Sequence, residues 1–237
     1  MNNIHDELLL KPKHIKFFKR KRAIYIPCDS SRGVIYNHLK KINKREIDLG
    51  FGLLFFLKDK IVVFQSVGAP AAVLLLEPLI VSGATKIIIL GFCGSLNPSY
   101  KALEAVTITK SFSEEGTSSH YFNRRRLFHS SSLLRREIEQ NLTKKKLPFK
   151  TGTIVSTDAP YRETKSWLTK KQKNKIDLVD METSAVLALA EFYRVQAAAL
   201  MIISDELFSK KWRHKLTSFR LDKKVREYFI PFIQAED

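Results

Sequence analysis

Val179-Asp180-Met181-Glu182-Thr183-Ser184-Ala185 opens an amphipathic helix, because Ala185, Ala188, Leu189 and Phe192 recur at helical spacing. The apolar run that follows, Ala197 to Ile203, is short and well bounded and reads as a buried strand. Asp205, within Ile203-Ser204-Asp205-Glu206, stands where that strand ends, and Glu182 stands where the helix begins. Ligands of open α/β sheets collect at the carboxyl ends of strands. Two acids brought to such an edge therefore point to a site. Plain structure also accounts for them: acids in a first helical turn are favoured by the macrodipole and as caps.

Working outward, the same alternation of strand and helix recurs. Ala23-Ile24-Tyr25-Ile26-Pro27 reads as a first strand, with a turn at Cys28-Asp29-Ser30-Ser31-Arg32 and a helix through Tyr36 to Lys41. Leu53–Leu57 and Ile61–Gln65 form a hairpin around Lys58-Asp59-Lys60. Gly68-Ala69-Pro70 starts a nearly all-apolar helix reaching Ser82, in which Pro78 is expected to make a kink. Lys86-Ile87-Ile88-Ile89-Leu90 is the strongest strand, running into a glycine-rich loop, Gly91-Phe92-Cys93-Gly94-Ser95. Ala105–Ile108 is a strand, Glu114–Tyr121 a polar loop, and Ser130–Ser132 cap a helix over Leu133–Leu142. Thr153–Ser156 is a short strand ending at Thr157-Asp158-Ala159-Pro160-Tyr161, and a helix covers Asp222–Ile230. The pattern predicts a basic lead-in over 1–22, with Phe17 and Phe18 packed on the body, and one α/β domain over 23–237 with helices on both faces of the sheet.

Composition narrows the classes. Hydrophobic residues make up 44% of the 237 positions, enough for a substantial core. Cys28 and Cys93 match no metal spacing and no disulfide framework, so a reducing, cytoplasmic setting is expected. No apolar stretch is long enough to span a membrane, so no membrane partner is expected. Lys and Arg number 41 against 24 acids, a formal charge of +17. Such a surface attracts anions, nucleic acid included. The basic clusters are scattered along the whole chain instead of forming one arm, so nucleic acid is the less favoured partner.

Taken in order, VGAPAAVLLLEPLIVSGATKIIILGFCGSL, EEGTSSHYF, STDAPYRET, VDMETSA and ISDE resemble the purine nucleoside and uridine phosphorylase family, whose relatives include methylthioadenosine nucleosidases. The resemblance runs from about Ala23 to Asp205 and is nearest to a bacterial subgroup of unassigned nucleoside phosphorylases. It implies a three-layer αβα sandwich around a mixed, partly barrelled central sheet, assembled as a dimer, trimer or hexamer. It also implies cleavage of an N-glycosidic bond, with inorganic phosphate as co-substrate and no cofactor.

By the same resemblance, Asp205 is the acid bonded to N7 of a purine, beside Ser204. Glu182 accepts both ribose hydroxyls, with Met181 packed under the sugar. Tyr161 either stacks on the base or is structural. Arg162 and Glu163 either pair on the surface or bond to the base edge. His120 either touches the 5′-hydroxyl or is a satisfied loop histidine. The nucleophile pocket falls to Asp29, Arg32, Gly91, Cys93 and Gly94. This chain departs from the family pattern in that pocket: Cys28 stands for a glycine, Ile89 for a phosphate-binding Arg and Phe92 for a hydroxyl residue. Pro160 stands for the usual stacking Phe. Arg45 from a neighbouring subunit is one source of compensation. Alternatives are hydrolysis by water, with Asp29 activating it unless Asp29 caps the next helix, and a weakened nucleoside-binding member.

Overall fold

The computed structural model describes residues 9–12, 21–43, 45–208 and 213–234. Most of the basic lead-in, including Phe17 and Phe18, lies outside them. In chain order the elements are β1 (Arg22–Ile26), α1 (Val34–Ile42), β2 (Glu46–Asp48), β3 (Leu53–Phe56), β4 (Lys60–Phe64), α2 (Ala69–Val81) and β5 (Lys86–Ser95). Next come β6 (Ala105–Glu114), α3 (Ser118–Tyr121), β7 (Leu127–His129), α4 (Ser132–Lys144) and β8 (Lys150–Thr157). A 3-10 turn (Pro160–Arg162) leads to α5 (Lys165–Lys173), β9 (Leu178–Asp180), α6 (Thr183–Phe192) and β10 (Gln196–Glu206). The described chain closes with β11 (Arg213–His214), α7 (Phe219–Tyr228) and α8 (Ile230–Ile233).

All strands join one mixed sheet in the order β11-β10-β6-β8-β9-β5-β1-β4-β3-β2, with β7 on β6. Because β10 also pairs with β5, the strands β10, β6, β8, β9 and β5 close into a ring. This is the partly barrelled sheet that the family resemblance implies.

Side chains alternate across a strand, and here the alternation builds two cores. Along β10, Ala197, Ala199, Met201 and Ile203 enter one core, and Ala198, Leu200 and Ile202 enter the other. In β5, Ile87 and Ile89 oppose Ile88 and Leu90 in the same way. The first core is covered by α2 and α6, the second by α1, α4, α7 and α8, giving three layers. Serine and threonine side chains start α4, α5 and α7: Ser131, Thr164 and Ser218 each accept a backbone N–H three residues on.

Several expected boundaries move. The glycine-rich segment after Leu90 is not a loop, since β5 continues through Ser95. Its glycines serve packing: a Cβ on Gly91 would come within 3.1 Å of Met201 Sδ, and one on Gly94 within 3.2 Å of Val179 Cγ1. Val179 and Asp180 end a strand, so the helix starts only at Thr183, and it is buried all round instead of amphipathic up to Ala190. Asp205 does not end β10 but lies within it, just past a bulge between Ile203 and Asp205. Glu114 closes β6, and the expected polar loop contains α3. Pro78 sits inside α2 without ending it; the carbonyl that loses its donor belongs to Leu74, on an exposed face where water can reach it. Among the described residues, no helix is long and apolar enough to cross a membrane.

Candidate active site

Strand register explains how two acids distant in sequence meet. Gly94 of β5 pairs with Val179 of β9 on one side and with Asp205 of β10 on the other. Val179, Gly94 and Asp205 thus form one row across three strands, and Asp180 and Glu182 follow directly from its first member. The absence of a side chain at Gly94 leaves room for the carboxylate, since a Cβ there would stand 3.3 Å from Asp205 Oδ2. Glu182 and Asp205 consequently line one cavity of about 270 Å³, together with Met181, Ser204, Cys93 and Gly94. An outer chamber of about 470 Å³ adjoins it, lined by Tyr161, Trp167 and Leu168. Pro160, Glu163, Asp205 and Leu207 line both.

Glu182 is the residue before α6 and is 5% exposed. Its Oε1 accepts the backbone N–H of Gly68 at 2.6 Å, at the start of α2. Gly68 has φ of +96°, a conformation that suits glycine and directs this amide. Burial, and then the Asp180 carboxylate, push the Glu182 carboxyl up to about 8. Beneath it, Asp180 accepts from Ser156 Oγ at 2.5 Å and from the N–H of Thr183 at 2.9 Å. Burial raises the Asp180 pKa against these bonds.

Ser156 Oγ in turn accepts the N–H of Ser184 at 2.9 Å, and Ser184 Oγ donates to Glu115 Oε1 at 2.9 Å. Burial pushes the Glu115 carboxyl up, but bonds from Ser118, Ser113 and Ser184 outweigh it and hold the group below the usual range. This chain of hydroxyls and carboxylates fixes the N-terminus of α6 and therefore the aim of Glu182.

Ser204 Oγ lies 2.6 Å from Asp205 Oδ1 and 3.2 Å from the carbonyl of Cys93. The hydroxyl orients the carboxylate from the bulge. Both thiols are held protonated: burial, then Glu182 and Asp29, push Cys28 up to about 12, and burial, then Asp180 and Asp205, raise Cys93. Neither is a nucleophile at neutral pH.

Other expected site residues are placed elsewhere. Arg32, expected at a phosphate, pairs with Asp222 of α7 at 2.6 Å and lines neither cavity. The buried Asp222 carboxylate has drawn it to the opposite helix layer. Asp29 accepts from the backbone N–H groups of Ser30, Ile35 and Tyr36, which is the helix-capping alternative for this residue. Gly91 faces Met201 and lines neither cavity. His120, on α3, and Arg162 are exposed and also lie outside both. Tyr161 is fully exposed at the rim of the outer chamber.

Three further residues have a part in this geometry. Gly68 read from the sequence as a break at a strand end before a helix, and Glu163 as half of a surface pair or a contact to the base edge. Trp167 carried no signal, because its place on the chamber wall depends on how α5 docks.

Comparison with known proteins follows the same lines. The chain is 31% identical over 160 residues to an uncharacterized protein of Acanthamoeba polyphaga mimivirus, covering 66% of this chain and 62% of that one. It is 26% identical over 191 residues to a DeoD-type purine nucleoside phosphorylase of Brevibacillus brevis, covering 79% of each. Among solved structures, a 5′-methylthioadenosine/S-adenosylhomocysteine nucleosidase from Helicobacter pylori shares the fold with a TM-score of 0.71 at 18% identity, over 89% of this chain and 95% of that one. The family model of the phosphorylase superfamily matches residues 33–227, and the chain belongs to that superfamily.

Proposed function

We propose that this chain breaks the N-glycosidic bond of a purine nucleoside with inorganic phosphate, giving free base and sugar 1-phosphate. One observation carries the reading: Glu182 and Asp205 line the same sugar-sized cavity, from opposite ends of one strand row. As the bond breaks, positive charge builds on the ribose and the bonding electrons leave with the base. A proton passed from Asp205 to N7 neutralises the departing base, help of a kind worth roughly 10²–10⁴ in rate. Glu182 takes the ribose hydroxyls; their bonds favour its ionised form over the protonated one that burial favours in the free protein, and bonds to a carboxylate are the stronger kind. Met181 packs beneath the sugar. Trp167 supplies the aromatic wall that Pro160 does not. No cofactor takes part. Phosphate as acceptor rests on similarity to enzymes called purine nucleoside phosphorylases. The working form is a homo-oligomer in which Arg45 of a neighbouring subunit completes the phosphate pocket.

A second reading, hydrolysis by water, is favoured by the inner cavity itself. No Lys or Arg is among the described residues lining it, and three carboxyl groups besides Asp205 are. Ile89 is buried in the core, and Phe92 packs on Phe229 with ring centroids 5.9 Å apart. One experiment tests both readings. The protein is incubated with a nucleoside panel, with and without phosphate, and free base is measured. Release that requires phosphate is the expected result. Release in phosphate-free buffer selects hydrolysis, and no release from any nucleoside overturns both.

A further inference from the structure

We propose that the outer chamber takes an apolar group carried on the exocyclic atom at position 6 of the purine, so that the preferred substrates are 6-substituted purine nucleosides. The inference deepens the nucleoside reading and rests on it.

The position follows from which residues line which chamber. Glu182, at the ribose hydroxyls, and Met181, beneath the sugar, line the inner cavity and not the outer one. Asp205, at N7, lines both. The sugar end of the substrate therefore lies away from the outer chamber, and the base end faces it. In a purine, the exocyclic atom at position 6 sits next to N7 on the same edge. A base that meets Asp205 through N7 thus sends its position-6 substituent through the neck formed by Pro160, Glu163, Asp205 and Leu207.

Size points the same way. The inner cavity has about 270 Å³ and the outer chamber about 470 Å³. The larger space is the one that only an edge of the base reaches. An unsubstituted purine leaves most of it unfilled.

The walls select the chemistry of the substituent. Pro160, Trp167, Leu168 and Leu207 give the outer chamber apolar sides, with Tyr161 at the rim. The indole N–H of Trp167 is turned to a group outside the chamber's lining, donating to Glu114 Oε2 at 2.7 Å. Lys171, one helical turn on, pairs with the same carboxylate and lies over the indole, with Nζ 5.2 Å from the ring centroid. Both residues stand outside the chamber's lining and hold the ring from behind, so the chamber meets indole carbon and no indole donor. Thr164 Oγ1 is engaged in capping α5, accepting the N–H of Trp167 at 3.2 Å, and Lys165 is exposed.

The neck is itself set against water. The N–H of Glu163 bonds to the carbonyl of Pro160 at 3.2 Å, closing the 3-10 turn that carries one wall. Burial, and then Asp205, push the Glu163 carboxyl up to about 7, as expected of a poorly solvated place. An apolar group entering here leaves water for apolar walls, which is favourable in proportion to the area covered. In such pockets even one added methylene changes specificity by about 10–200-fold.

The full chain is assayed with adenosine, N6-benzyladenosine and 5′-O-benzyladenosine, with and without phosphate. N6-benzyladenosine is expected to show a kcat/KM at least about tenfold above that of adenosine, and the 5′ isomer no gain. Trp167→Ala is expected to bring the first ratio close to one, with Trp167→Phe keeping most of it. No gain from the position-6 group in the wild type, an equal gain at the 5′ position, or a ratio unchanged in Trp167→Ala overturns the proposal. Calorimetric binding of the free bases needs no turnover: N6-benzyladenine is expected to bind at least about tenfold more tightly than adenine. A chain that releases no base from any nucleoside overturns the nucleoside reading, and the calorimetry still decides the chamber. Equal affinities for the two bases, or no binding of either, overturn it.

Discussion

The backbone N–H of Gly68 donates to Glu182 Oε1 at 2.6 Å, tying the start of α2 to the residue before α6 across 114 positions. The contact aims a carboxyl group that takes two sugar hydroxyls once it gives up its proton to bind them. Gly68→Ala leaves the space nearly open, with Pro70 Cδ 4.0 Å from the new Cβ, but sets an alanine at φ of +96°. The backbone then relaxes and the amide turns. A KM for nucleoside raised about tenfold, with a smaller change in kcat, is the expected outcome, since a charge-assisted bond of this kind is worth about 1.5–3 kcal/mol. Steady-state kinetics across the nucleoside panel check it. An unchanged KM means that the amide does not aim Glu182.

Asp205→Asn removes the transferable proton and keeps the shape. Base release is expected to fall about 10²–10⁴-fold. Melting temperature, measured by calorimetry, is expected to stay within a few degrees, because the Ser204 hydroxyl retains an acceptor. A variant that remains active places the acid elsewhere.

The pH dependence of stability follows from Glu182. Folded, its carboxyl holds a proton up to about pH 8, whereas an unfolded glutamate releases it near about 4.3. Across that window the folded chain binds more protons than the unfolded one. Stability therefore falls as pH rises towards 8, and the full loss is present above it. Glu182→Gln lacks this loss. Its melting temperature is expected to rise relative to wild type by on the order of 5 °C between pH 5 and pH 8. Glu163 contributes with the same sign in both proteins, so the difference between them isolates Glu182. A difference that does not grow with pH counts against the buried, protonated carboxyl.

Arg32 offers a test of the phosphate pocket. It is half exposed and paired with the buried Asp222, whose Oδ1 has no hydrogen-bond partner among the described residues. Arg32→Ala leaves that carboxylate without its cation, and a loss of about 1–3 kcal/mol in stability is expected from denaturant melts. The KM for phosphate is expected to be unchanged. A large rise in it, with stability intact, returns Arg32 to the nucleophile's pocket.

The layers of the fold were legible because alternating apolar residues in β5 and β10 mark two buried faces, and such periodicity survives any detail of packing. The pair of site acids was legible for a related reason: each stands next to an apolar run that fixes an element. Arg32 and Asp29 read as nucleophile-pocket residues by resemblance to the family's phosphate loop, with helix capping as the alternative for Asp29. Their actual partners come from α7, 190 positions away for Arg32, and from backbone amides of α1. Glycines at 91 and 94 suggested a turn, since nothing local distinguishes a glycine needed for φ from one needed for strand packing. Glu163 was left between a surface pair and the base edge, because its inward turn depends on a 3-10 closure that no sequence period records.

The double pairing of β10, to β5 on one side and β6 on the other, has a consequence for how the protein responds to ligand. Closing that ring demands contacts between segments about a hundred residues apart, the kind of step that comes late in folding. Because Asp205 rides on the closing strand and Glu182 follows β9, on the far side of β5, no half-assembled chain presents both acids together. A nucleoside therefore rewards only the completed barrel, and its protection is expected throughout the amide-exchange map instead of around the pocket alone.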